Sequence, residues 1–115
     1  MDFAGFPGFG APRYTQVPDL LFDELLPELK CAELRVLLII MRQTFGWKRD
    51  ADAISLSQLT DRTGLTRPAV TSATQALEEM GCIIIERREN PDGGRATNVY
   101  RLRIRDEDTT QDSQV

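Results

Sequence analysis

A chain of 115 residues and 13.0 kDa is long enough to bury one hydrophobic core and too short for two. Its 41% hydrophobic and 28% charged content is that of a folded soluble domain, and its longest unbroken apolar run, Val36 to Met41, falls far short of the ~20 residues that cross a bilayer. A net charge of −4 and the absence of histidine speak against a uniformly basic nucleic-acid surface and remove the commonest general base and metal ligand.

The N-terminal residues 1–13 are rich in Gly and Pro, with Phe3, Phe6 and Phe9 widely spaced, and read as a flexible arm. The start lacks the basic head and apolar stretch of a secretory signal, so a cytoplasmic protein is expected. Pro18 to Leu26 reads as a short packing helix with acids in its early turns and Pro27 as its stop. Glu33 to Phe45 is a helix that is apolar almost all round and therefore central, ended by Gly46. A charged connection, Lys48 to Asp52, leads to a brief strand, Ala53 to Leu56, and Trp47 is expected to cover a core edge.

Two short helices follow with little between them. Ser57 is expected to cap the first and Gly64 to end it. Thr66 should cap the second, with Pro68 in its first turn and Gly81 at its end. In the second helix Val70, Ala73, Thr74, Leu77 and Met80 share an inner stripe, while Arg67, Thr71, Ser72 and Gln75 share an outer one. Residues 82–88 and 98–105 then read as a β-hairpin about the loop 89–97. In its last strand Tyr100, Leu102 and Ile104 face inward and Arg101, Arg103 and Arg105 outward. The polar, acidic residues 106–115 form a tail expected to be disordered. The expected fold is therefore α+β and mainly α: a winged helix-turn-helix over residues 14–105 with an extra N-terminal helix and a C-terminal β-hairpin wing.

Charge is unevenly distributed along this plan. Residues 31–105 hold twelve basic against nine acidic side chains, whereas 1–30 and 106–115 are acidic. A helix-turn-helix presents its second helix to the major groove, where Arg, Thr, Ser and Gln reach base edges. Thr66, Arg67, Thr71, Ser72 and Gln75 are accordingly the candidate DNA-binding residues of the helix, and Arg95 that of the wing tip. Arg67, in the first turn, suits either a bidentate contact to guanine or a salt bridge to phosphate. Cys31 and Cys82 read as small buried hydrophobes, and no metal, cofactor, phosphate loop or nucleophile-base pair is expected, so the chain does not read as an enzyme.

The runs Tyr14 to Asp23, Glu33 to Leu38, Thr44 to Trp47, Asp52 to Leu59 and Thr63 to Arg67 occur in an order that resembles the N-terminal domain of bacteriophage-type replication protein O over roughly residues 14–85. The resemblance implies an origin-binding domain of a replication initiator. Its partner would be double-stranded DNA, with a homodimer on repeated sites as one option, and such initiators engage the replication machinery through a C-terminal region. No membrane partner is expected. A small winged-helix transcriptional regulator and a protein-interaction module that binds no DNA are the alternatives.

Overall fold

The computed structural model describes residues 5–11, 13–45, 49–88 and 97–104. Leu21 is the buried anchor of the first helical segment, in which Leu21–Leu25 winds as a π-helix and Leu26–Glu28 as a 3-10 turn. Pro27 does not stop this helix. It sits in the opening turn of the 3-10 stretch, where a missing backbone donor leaves nothing unpaired.

The central helix α1, Cys31–Thr44, begins two residues earlier than its apolar pattern suggests. Glu33 explains the start: its Oε1 accepts the Lys30 backbone N–H at 2.9 Å, which satisfies a group the helix cannot reach. Val36, Leu37, Ile40 and Met41 are buried on α1, and Arg35, Leu38 and Arg42 lie exposed along one side. Cys31 belongs to that exposed side, three to four residues per step, so it is a surface residue rather than a buried hydrophobe. Cys82 is half-buried, and burial followed by the charge of Glu33 pushes its thiol up. Gly46, Trp47 and Lys48 lie outside the described residues.

Strand β1 is Asp52–Ile54, and helix α2 runs Leu56–Thr63. The strand is shorter than expected because Ser55, not Ser57, caps the helix. Ser55 Oγ accepts the Gln58 N–H at 3.0 Å and Gln58 Oε1 accepts the Ser55 N–H at 2.8 Å, a reciprocal pair that needs Gln three residues after the cap. Ser57 has Thr60 at that offset. Replacing Ser55 with Ala should therefore cost about 1 kcal/mol of stability, while Ser57→Ala should stay within about 0.5 kcal/mol of the parent. Urea denaturation midpoints of the two variants check the assignment.

Gly64 ends α2 at φ 74° and Gly81 ends α3, Arg67–Met80, at φ 84°. A Cβ at Gly81 would come 2.9 Å from Arg103 Nη1, the movable end of an exposed side chain, so it is the left-handed backbone that favours glycine there. Val70, Ala73, Thr74 and Leu77 form the buried face of α3. Met80, assigned to that face from its spacing, is 44% exposed, because it is the last helical residue and the chain turns away at Gly81.

Strands β2, Ile83–Glu86, and β3, Asn98–Leu102, pair antiparallel with Ile83 opposite Leu102 and Ile85 opposite Tyr100. Both are shorter than the sequence pattern. Before Ile83 the chain is still leaving α3, with the Cys82 N–H donating to the Leu77 carbonyl at 2.9 Å. One further bond, from the Arg103 N–H to the Cys82 carbonyl at 3.0 Å, ends the ladder, and Ile104 is 63% exposed instead of facing the core. Strand β1 pairs with the other edge of β3, giving an antiparallel three-stranded sheet in the order β1-β3-β2. The architecture is thus mainly helical α+β. Helix α1 packs against α2, α3 and β3, while α3 also packs on β2. One buried cluster joins Leu21, the α1 apolar face, Ile54, Leu59, Val70, Leu77, Ile83, Tyr100 and Leu102.

Candidate nucleic-acid interface

Thr66 is extended at φ −76°, ψ 162°, and its Oγ1 accepts the Ala69 N–H at 3.3 Å. This cap sets where α3 begins and hence which side of it faces outward. With Val70, Ala73, Thr74 and Leu77 turned into the core, the 3.6-residue period leaves Arg67, Pro68, Thr71, Ser72 and Gln75 exposed together. The candidate residues Thr66, Arg67, Thr71, Ser72 and Gln75 therefore lie on one accessible surface. Arg95 lies outside the described residues, as does Arg105.

Charge changes along this face. Its first nine residues, Arg67 to Gln75, contain no acid, and the positive end of the α3 dipole lies there. Glu78 and Glu79 occupy the far end. Glu78 is engaged by Arg87, just past β2, through two bonds of 2.9 and 3.0 Å. That paired hydrogen bonding holds the Glu78 carboxyl below its ordinary range and raises Arg87 further above its own. Its negative charge is thus largely matched within the fold.

The remaining arginines divide by whether the fold uses them. Arg35 Nη1 donates to the Thr63 carbonyl at 3.2 Å, tying α1 to the end of α2, and Arg49 pairs with Asp52 at 2.8 Å. Arg62, Arg88, Arg101 and Arg103 are exposed and form no ion pair among the described residues. Arg101 stands opposite Ile84 on the outer face of the sheet, with Arg103 beyond it. Tyr100, on the inner face, is buried, and its phenol is pushed up by that burial.

One contact was not expected from the sequence. Arg67 Nη2 donates to Ser57 Oγ at 3.3 Å, linking the first turn of α3 to the first turn of α2. The signal was present in Gln58, which assigns the cap to Ser55 and leaves the Ser57 hydroxyl available.

Among the described residues no group of three or more His, Cys, Asp or Glu side chains could hold a metal ion. Among them, too, no helix is long and apolar enough to cross a membrane.

A sequence model of the family described as bacteriophage replication protein O matches residues 12–99. Among solved structures, the chain is similar to Stf76 from the Sulfolobus islandicus plasmid-virus pSSVx. The two are 23% identical, with 75% of this chain and 97% of that chain covered and a TM-score of 0.42. No curated protein matches the chain.

Proposed function

Because the chain belongs to the bacteriophage replication protein O family, we propose that it binds double-stranded DNA sequence-specifically and serves origin recognition in replication initiation. The observation that carries this reading is the outer face of α3, where Arg67, Thr71, Ser72 and Gln75 are exposed together without an acid among them. In this reading α2 and α3 form a helix-turn-helix about Gly64, and β2 and β3 with the segment between them form the wing. The DNA-binding unit spans residues 14–105, flanked by the arm 1–13 and the acidic tail 106–115.

Helix α3 enters the major groove. Thr71, Ser72 and Gln75 meet base edges, Thr66 and Arg67 lie at the groove entrance, and Arg95 on the wing grips the backbone or the minor groove. The local excess of basic side chains in 31–105 supplies phosphate neutralisation despite the acidic total. Catalysis forms no part of the role.

Fluorescence anisotropy with a labelled pool of randomised duplexes at low salt, followed by rounds of selection, tests the proposal. Salt-sensitive binding and an enriched sequence are the expected results. Failure of the folded protein to bind any duplex at low salt would leave the protein-interaction module as the better account, an outcome that the net charge of −4 makes worth testing directly.

A further inference from the structure

Two serines open α2, and the helix uses one of them. Ser55 is committed to the reciprocal cap with Gln58. Ser57 is exposed, and its hydroxyl oxygen accepts an N–H of Arg67, ten residues along the chain, at 3.3 Å. The bond spans the turn between the two helices and fixes the direction in which the Arg67 guanidinium leaves α3: back toward the first helix.

We propose that Ser57 is the positioning residue of Arg67, and that the pair grips a backbone phosphate while base reading falls to Thr71, Ser72 and Gln75. This rests on the DNA-binding reading above and decides between the two contacts available to Arg67. Two physical arguments carry it. In a helix-turn-helix the first helix crosses the nucleic-acid backbone and the second lies in the groove, so a guanidinium drawn toward α2 is moved from the base edges toward the phosphates. The chemistry of the pair agrees. An arginine that donates one N–H to a hydroxyl retains four others, and the hydroxyl still has its own proton to give. The pair therefore presents donors and a positive charge, which suits anionic oxygens better than the mixed edge of a base pair. Among the described residues neither Asp61, one turn along α2 from Ser57, nor any other acid forms an ion pair with Arg67, so none of them matches the guanidinium charge.

Holding a long side chain in place removes rotamer entropy that binding would otherwise have to remove. Ser57 should thus act through Arg67 and not independently. The test is a salt series of anisotropy titrations on a labelled random-sequence duplex, using the parent, Arg67→Ala, Ser57→Ala, Ser57→Thr and the double variant. Arg67→Ala is expected to weaken binding to every sequence and to flatten the plot of log affinity against log salt by about 0.9. Ser57→Ala should keep the slope and lower affinity about two- to tenfold, the worth of one hydrogen bond. Ser57→Thr, which restores the hydroxyl, should recover most of that loss. In the Arg67→Ala background Ser57→Ala should add nothing.

Additive losses would overturn the positioning role. An unchanged slope in Arg67→Ala, with relaxed preference at one position of the selected sequence, would overturn the phosphate assignment in favour of a base contact. In both cases the parent still binds DNA. If the parent binds no duplex, the underlying reading fails and this proposal with it.

Discussion

Replacing Leu77 with Ala is expected to lower the stability of the folded chain by about 3–5 kcal/mol, the cost of removing a fully buried leucine from a packed core. Leu77 is 0% exposed and belongs to the same buried cluster as Val36, Leu37 and Ile40 of α1 and Ile83 of β2. Truncating it leaves a cavity inside that cluster, and the cost grows with the volume that the surrounding side chains cannot refill. Against a total of ~5–15 kcal/mol for a domain of this kind, that loss shifts the chain toward a population in which α3 is no longer held at a fixed angle. Met80, three residues on and 44% exposed, provides the contrast, and Met80→Ala should change stability by no more than about 0.5 kcal/mol. Chemical denaturation followed by far-UV circular dichroism separates the two. Equal losses would mean that the inner face of α3 is not the one described.

The contrast between those residues shows what the sequence could and could not convey. Periodicity identifies a face, and it placed Val70, Ala73, Thr74 and Leu77 correctly on α3. It carries no information on where a helix runs out of neighbours, which is why spacing alone points Met80 inward although it is exposed. The same limit applies to Ile104: alternation continues past Leu102, but the partner strand does not. Signals that depend on one residue's backbone conformation fared better. Gly64 and Gly81 both adopt the left-handed region, and each marks a helix end named from sequence alone. Caps were harder, because Ser55 and Ser57 both qualify by residue type and only Gln58 separates them. Strand β1 was legible as a strand, but its pairing with β3 was not, since three residues forming a non-local ladder leave no pattern that names the partner.

The candidate site divides along the same line. That Arg67, Thr71, Ser72 and Gln75 share an exposed surface follows from the 3.6-residue period and the buried stripe opposite. The direction of the Arg67 side chain does not, because it depends on a hydroxyl in another helix across the turn. Cys31 differs from its expected burial for a related reason. Residue type suggested burial, whereas helix phase puts it on the exposed side of α1 with Arg35, Leu38 and Arg42.

Introducing a carboxylate at Ser72 is expected to reduce duplex affinity on the order of tenfold to a hundredfold without loosening the fold. Ser72 is exposed in the middle of α3, between Arg67 and Gln75 on the acid-free stretch. Glutamate is a better helix former than serine at such a position, so Ser72→Glu should unfold at or slightly above the parent temperature. If α3 lies in the major groove, the new charge meets two rows of phosphates in a narrow space. It also displaces a side chain able to donate to a base edge, and the combined penalty is about 1.4–2.7 kcal/mol. Ser72→Gln, of nearly the same size and uncharged, isolates the electrostatic part. The difference between Ser72→Glu and Ser72→Gln should shrink as salt is raised, because exposed charges are screened within ~10 Å at ~0.1 M. A folded Ser72→Glu protein that binds the duplex pool as tightly as the parent would place the DNA contact elsewhere than on the outer face of α3, and the exposed arginines of the sheet, Arg101 and Arg103, would become the next residues to replace.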